Sequence, residues 1–424
     1  MHASVQFSGM TTARSIRFGV VGLHGFSRSH IGSIQRLEQT GAPVKLAAAV
    51  AYARGQDEAY AASLEAAGVR LVPDVDTLLA LKKELNVVTV PVGIALHVPM
   101  AEKALQAGYS VYLEKPVTGA IQDFDRLAAV ERQTPGPLFI GFQDIFQPSL
   151  WELKRRLIAG ELGSLRRAVV MAAWPRPRSY YARNAWAGRL SMDGTWVLDS
   201  PLNNACAHFI NLVLFLAGAD LSAAACPMEV TAELYRANPI ESADTTAVRV
   251  RTAEGVDIVF VASHACELAR GPVFRLECEG GEVTGDRGKV PDNDWHLHRR
   301  SGQADRIAVM PTWADPFEHV ALFLRGEKPA PICSLAMARP HTLVVNGAHL
   351  SSPIHDIPAA LCGEVTRPDN DGQSLACRFV KGMNDCLNAC FEKGCLPSES
   401  GAAGWARPGN PVDVSQLTVF FLPK

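Results

Sequence analysis

The sequence predicts an α/β protein. It places a doubly wound parallel sheet in residues 15–142 and an α+β domain with a largely antiparallel, open sheet in 143–352. A C-terminal extension, 353–424, is expected to pack on that core. Three observations carry this reading. Short apolar runs alternate with helical patterns through the first part, as crossover connections of a parallel sheet require. The second part turns to runs of alternating polarity, the pattern of antiparallel strands covered on one face. The chain, at 424 residues, exceeds what one core usually holds, so two domains are expected.

The elements follow in order. Ile16 to Gly22 is an apolar strand ending in glycine, and Arg28 to Leu37 is helical. Val44 to Ala51 is the next strand, and a helix with Glu58, Ala59, Leu64 and Ala67 leads to an extended piece, Val69 to Val72. A helix over Val75 to Glu84 precedes the strand Val87 to Val90. Pro99 to Ala107 reads as a helix closed by Gly108, followed by strand Ser110 to Leu113. Asp123 to Arg132 is helical and Pro137 to Gly141 is a strand. Beyond them, Arg166 to Ala173 is extended, Ser200 caps a helix that begins with Pro201, and further strands run from Val230 to Leu234, Thr245 to Arg251, Val256 to Ala262 and Phe274 to Glu279. Asp315 to Arg325, Ser334 to Ala348 and Phe379 to Lys393 complete the helices.

Composition excludes several classes. The formal net charge of −2 gives no reason to expect nucleic acid or an anionic membrane as a partner. No apolar run reaches the roughly 18 residues that span a bilayer, and Met1 to Ser15 lacks a signal-peptide core, so a cytoplasmic protein is expected. Ten cysteines in this length are too dilute for a disulfide scaffold and read as reduced core residues. Cys386, Cys390 and Cys395 do not follow a zinc spacing, and His264 with Glu267 reads as ordinary strand sequence, so no metal site is predicted.

In a doubly wound sheet a ligand lies outside the carboxyl ends of the strands. Four clusters fall there: Gly22–Ser27, Ala51–Arg54, Pro91–His97 and Glu114–Pro116. Gly22-Leu23-His24-Gly25-Phe26-Ser27 keeps only the first glycine of a phosphate-binding turn. His24 stands where a backbone approaches a pyrophosphate, and Ser27 is small enough for helix–strand packing. Read alone, it is as readily a tight strand-to-helix turn. The acid that would bind ribose hydroxyls is absent, and Tyr52 and Arg54 stand nearby. Arg54 suits a 2′-phosphate or is simply a solvated arginine.

Tyr109 to Val117, with Glu114-Lys115-Pro116 at its centre, resembles the signature of the Gfo/Idh/MocA oxidoreductases. His30, Pro91, His97, Gly141-Phe142-Gln143 with Phe146 and Pro148, Gly160 to Gly163, and His208 with Asn211 and Leu216-Ala217-Gly218 are similar to further family positions, together spanning most of residues 16–352. The resemblance implies a Rossmann-type domain binding NAD or NADP, with Gly22, His24, Gly25, Phe26, Ser27, Tyr52, Arg54, Pro91, His97, Glu114, Lys115 and Gln143 at the cofactor. It implies a sugar, cyclitol or related polyol as substrate, and a homodimer or homotetramer formed through the open sheet face. Lys115 emerges from an apolar strand, where desolvation favours a neutral, proton-transferring amine; by spacing alone a salt bridge to Glu114 is the simpler reading.

The resemblance also assigns catalytic roles to Lys115, His208 and Asn204. Asn204 stands where the family carries an aspartate, and an amide cannot take a proton; Asp199, upstream, is a substitute carboxylate. Asn204, His208 and Asn211 are expected on one face of the helix, with Asn203 beside them. The stretch Trp174 to Trp186 is dense in arginines and aromatics, and the resemblance places substrate there. Arg176, Tyr180, Tyr181, Arg183, Trp186 and Asn203 are the substrate candidates, on forked donors and stacking faces that suit a polyhydroxylated or carboxylated small molecule. The leading expectation is an NAD(P)-dependent oxidoreductase. The alternatives are a non-catalytic sensor of cofactor or sugar, and an NAD-dependent glycoside-cleaving enzyme.

Overall fold

The computed structural model describes residues 15–52, 55, 57–288, 293–309, 315–327, 332–368 and 374–422. In its first part, β1 (Ile16–Val20), α1 (Phe26–Gln39), β2 (Val44–Val50), α2 (Glu58–Ala66), β3 (Arg70–Val72), α3 (Val75–Leu79), β4 (Val87–Val90), α4 (Ile94–Gln106), β5 (Ser110–Leu113), α5 (Ile121–Gln133) and β6 (Leu138–Ile140) alternate without exception. The strands form a parallel sheet in the order β3-β2-β1-β4-β5-β6. The order reverses between β1 and β4, which opens a crevice at their carboxyl ends. Helices cover both faces, so β4 and β5 are buried at every residue and carry no polar alternation.

One helix begins earlier than its sequence suggests. Pro99 lies inside α4 instead of opening it, so His97 is a helical residue. Pro99 forgoes one bond to the Ala95 carbonyl, and burial of Ile94, His97 and Val98 holds the first turns nonetheless.

The chain then forms a 3₁₀ turn over Gln143–Phe146, α6 (Pro148–Ile158), β7 (Leu165–Ala173) and the short α7 (Arg178–Ala182). A two-rung hairpin, β8 (Ser191–Met192) and β9 (Thr195–Trp196), precedes a π-wound turn at Pro201–Ala205 and α8 (Ala207–Ala217). Seven strands follow: β10 (Pro227–Arg236), β11 (Thr245–Thr252), β12 (Asp257–Ser263), β13 (Arg270–Cys278), β14 (Gly281–Asp286), β15 (Trp295–Arg299) and β16 (Ala304–Ile307). After α9 (Pro316–Leu324) and α10 (Leu335–Ser351) come β17 (Ile354–Asp356), β18 (Cys362–Pro368), β19 (Ser374–Val380), α11 (Met383–Lys393), α12 (Pro397–Ser400) and β20 (Val412–Asp413). The large sheet runs β16-β15-β14-β13-β7-β12-β11-β10-β17 and is antiparallel except at β7–β12 and β10–β17.

Both faces of this sheet are covered, and β7 shows how. Ala168, Val170 and Ala172 join the main core, which includes α8 and α10. Val169, Met171 and Ala173 join a second core with Met383, Cys386, Leu387, Cys390 and Phe391 of α11. The face that the resemblance assigns to an oligomer interface is therefore occupied, over β7, β12 and β13, by the chain's own C-terminal segment. Phe379 and Val380 end β19 and do not open a helix, because they pair with Gly363 and Cys362 of β18. All ten cysteines are free, and seven of them are buried.

Candidate active site

The carboxyl ends of β1 and β4 meet α7 and the Pro201–Ala205 turn around a cleft of about 540 Å³. Its walls include Lys115, Arg176, Tyr180, Arg183, Trp186 and Asn204. A neighbouring cleft of about 350 Å³ lies over the β1–α1 turn, lined by Gly22, His24, Gly25, Phe26, Ser27, Tyr52 and Pro91, with Trp186 shared between the two. Trp186 reaches the first domain because Gly93 has no side chain: a Cβ there would fall 2.9 Å from the Trp186 Nε1.

The β1–α1 turn suits a pyrophosphate despite its missing glycine. Gly22 has φ +102°, and a Cβ on it would lie 2.7 Å from Ser27 Oγ, so the turn leaves a cradle of backbone. Ser27 closes it by donating to the Val21 carbonyl at 3.0 Å. Helix α1 has no side-chain cap and no acid in its first turn; its Ser27 and Arg28 N–H groups donate to the His24 and Gly25 carbonyls at 3.3 and 3.2 Å, and the positive end of its dipole faces the turn. Tyr52 and Phe26 are more than half exposed at the rim. Arg54 lies outside the described residues.

Behind the crevice, Glu114 is buried and saturated. Its Oε1 accepts from Gln143 Nε2 at 3.0 Å and lies 3.1 Å from His30 Nε2, and its Oε2 accepts from the Lys115 N–H at 3.2 Å. The Glu114 carboxylate thus grips its own strand end, the crossover and α1. His97 lies between two carbonyls, Pro116 O at 2.7 Å from Nδ1 and Val92 O at 3.1 Å from Nε2, and burial pulls its pKa down. A neutral ring donates only once, and the shorter contact places that proton on Nδ1. The Nδ1–H of His97 therefore ties α4 to the Lys115 segment, while part of the ring lines the cleft. Gln143 reaches the site only through Glu114.

Lys115 points the other way, into the second domain. Its Nζ donates to Asn204 O at 2.9 Å and to Asn204 Oδ1 at 3.3 Å. Asn204 Nδ2 donates in turn to Asp199 Oδ1 at 2.7 Å, and the Gly188 N–H donates to the other carboxylate oxygen at 2.6 Å. Burial pulls Lys115 below the ordinary lysine value, and Glu114 and Asp199 pull it partly back. Burial raises Asp199. Leu198, immediately before it, is held at φ 47°, a left-handed conformation that a bulky residue seldom adopts; it turns Asp199 inward toward Asn204.

Three expected site residues sit elsewhere. Asn203 is fully buried, its amide donating to the Val197 carbonyl at 2.8 Å, and it does not line the cleft. Tyr181 lines a separate pocket with Gly188 and Ile240. His208 lies behind the cleft wall, edge-on to Phe142 at 5.8 Å, and burial, then Lys115 and Arg287, holds its pKa well below the usual histidine range. The expected polar stripe is broken because Pro201–Ala205 is π-wound and α8 starts anew at Ala207. Asn204 thus faces the cleft while Asn211 is wholly buried in α8. The pairing of Asn204 with Asp199 and the bracing of Glu114 by His30 arise from long-range packing. Asp199 was visible in sequence only as a nearby carboxylate.

A crevice at a topological switch point, meeting a second cleft where a buried lysine amine lies, defines a two-domain nicotinamide-type oxidoreductase architecture. Residues 16–142 match the family model described as the oxidoreductase family, NAD-binding Rossmann fold, and residues 150–289 match the GFO/IDH/MocA C-terminal domain. The chain belongs to the Gfo/Idh/MocA family and is an NAD(P)-dependent oxidoreductase. It is 25% identical over 300 residues to dTDP-3,4-didehydro-2,6-dideoxy-α-D-glucose 3-reductase of Streptomyces violaceoruber, covering 70% of this chain and 81% of the relative. It is 24% identical to D-apiose dehydrogenase of Paraburkholderia graminis, covering 73% and 78%. The WlbA dehydrogenase of Bordetella pertussis, solved with NADH and UDP-GlcNAcA, shares the fold at a TM-score of 0.64 and 22% identity, covering 80% of this chain and 96% of that one. Among the described residues no cluster of His, Cys, Asp or Glu suits a metal, and no helix is long and apolar enough to cross a membrane.

Proposed function

We propose that this protein oxidises or reduces a sugar, cyclitol or related polyol, with Lys115 carrying the hydroxyl proton. The supporting observation is the position of the Lys115 ammonium. It sits where the dinucleotide crevice meets the Arg176–Trp186 cleft, partly dry and hydrogen-bonded to Asn204. A bound NAD(P) would supply the hydride acceptor for oxidation of the substrate carbon, or the hydride donor for its reduction. The backbone of Gly22–Ser27 and the start of α1 would hold the pyrophosphate, and Tyr52 and Pro91 would line the rest of the cofactor site.

The chain's own groups divide the remaining work. Lys115, its pKa lowered by burial, takes the hydroxyl proton as a neutral amine in oxidation and returns it as an ammonium in reduction. Asn204 orients the amine and the substrate oxygen, and Asp199 fixes which way the Asn204 amide points, since only its NH₂ can face a carboxylate. His208, held neutral by burial behind the cleft wall, is not a proton donor there. Tyr180 and Trp186 supply flat faces for a ring, and Arg176 and Arg183 its polar edge. A homodimer or homotetramer, if formed, uses a surface other than the sheet face under α11.

The test is calorimetric titration with NAD, NADH, NADP and NADPH, then a polyol screen by nicotinamide absorbance. Tight binding of one pair followed by turnover supports the proposal and names the cofactor. Binding without turnover of any polyol favours a sensor, and no binding of the four by folded, cofactor-free protein sinks it.

A further inference from the structure

The substrate cleft is electrically lopsided. Its lining carries three cationic side chains, Lys115, Arg176 and Arg183, against one carboxylate, Glu114. That carboxylate is spent on His30, Gln143 and the Lys115 N–H and shows the cleft little charge. Asp199, the next nearest, is buried behind Asn204, and the Arg183 guanidinium approaches it only to 4.0 Å.

Arg176 stands out among the arginines of its segment. Arg178 pairs with Glu364 and Arg183 donates to the Tyr180 carbonyl. Arg176 forms no side-chain hydrogen bond or ion pair among the described residues, and its Nε is buried without a partner. Its guanidinium carbon lies 4.9 Å from the Tyr180 ring centroid and 5.4 Å from that of Trp174, which fixes the fork's plane without using its donors. Arg183 packs on the same Tyr180 ring at 3.7 Å. Two guanidinium groups thus share one aromatic platform at the cleft wall. The half-buried Arg176 guanidinium thus has a buried Nε without a partner and a fork held in one plane at the cleft, and such a fork matches carboxylate or phosphate oxygens in pairs.

We infer that the substrate is an anionic sugar or polyol whose carboxylate or phosphate is held by Arg176 with Arg183. This deepens the proposed function and rests on reading this cleft as the sugar site. A neutral polyol forgoes the charge-assisted pairing with Arg176 and Arg183 that a carboxylate or phosphate gains, so the site favours the anion.

The experiment titrates the full-length protein calorimetrically with D-glucuronate, D-glucose 6-phosphate and D-glucose, each with and without NADH. At least one anion is expected to bind about tenfold or more tightly than glucose, as a charged hydrogen-bonded pair provides. The tighter of the two anions shows whether the group is carboxylate or phosphate. In Arg176→Gln the preference is expected to fall by about tenfold, while Arg176→Lys, which keeps charge but loses the fork, is expected to fall between. NADH affinity and the thermal transition report that the variants are folded. Equal binding of glucose and both anions, binding of neither anion, or an anion preference unchanged in Arg176→Gln overturns the inference. NADH binding without anion preference sinks this inference alone; anion preference without any cofactor binding sinks only the oxidoreductase reading.

Discussion

The two polar sets that flank Lys115 differ in how completely they are satisfied. On the crevice side, Glu114, His30 and His97 are buried with Gln143 half-buried beside them; Glu114 is held by His30, Gln143 and the Lys115 N–H, His97 donates to the Pro116 carbonyl, and His30 Nδ1 is the atom of this set left without a partner. On the substrate side, Asn204 and the arginines are only partly buried, and Arg176 keeps its donors free of protein partners. A saturated set holds geometry, whereas an unsaturated one awaits a ligand. Lys115 belongs to both: its backbone is fixed by the first and its ammonium is offered to the second.

Substitutions can break or sharpen this division. The largest effect is expected at the junction: Lys115→Ala should lower kcat by about 10²–10⁴-fold while NADH still binds. Unchanged kcat would remove the lysine from the proton step. Next, Glu114→Ala leaves the buried His30 ring and the half-buried Gln143 amide without their acceptor and should cost about 1–3 kcal/mol in denaturant unfolding. Trp186→Ala, on the ligand side, should cost markedly less stability than that. Equal losses would erase the distinction between the two sets.

Lys154, a buried lysine far from either set, serves as a control. Its ammonium lies over the Phe215 ring at 3.9 Å and donates to the Ala223 carbonyl, and burial lowers its pKa to about 7. The unfolded chain holds this proton up to the ordinary lysine value while the folded chain loses it near 7. Stability should therefore rise with pH above 7, by at most about 1.4 kcal/mol per unit. Lys154→Met should flatten that rise without altering the pH profile of turnover; an unchanged slope in unfolding between pH 7 and 9 would refute the assignment.

The smallest effect is expected from Asp199→Asn. Oxidation needs the Lys115 amine neutral, so kcat/KM rises with pH to an inflection below 10.5. Asp199 raises the Lys115 pKa, so removing its charge should move that inflection toward lower pH. A shift in the opposite direction, or none, would show that the two groups are not coupled through Asn204.

Several of these features were legible in the chain. Strands Val87–Val90 and Ser110–Leu113 coincide with the structure at both ends because continuous apolar runs between polar turns admit few alternatives. Lys115 and the Gly22–Ser27 turn were legible from local motifs. Asn203 and Asn211 were not separable from Asn204: helical spacing puts Asn204 and Asn211 on one face, and only the π-wound turn after Pro201 separates them. The role of α11 was also hidden, since an amphipathic pattern does not name its partner.

The sequence by itself determined the alternation of the first domain and the lysine at a strand's carboxyl end, through periodicity, turn chemistry and residue type, which act over a few neighbours; that the arginine–aromatic segment meets that lysine came from the resemblance to the family. The tertiary structure alone decided which polar groups are satisfied and which await a ligand, that Asp199 stands behind Asn204, and that the C-terminal segment covers the outer sheet face. Each depends on contacts between residues remote in the chain, and burial and hydrogen-bond completion exist only once those residues have met.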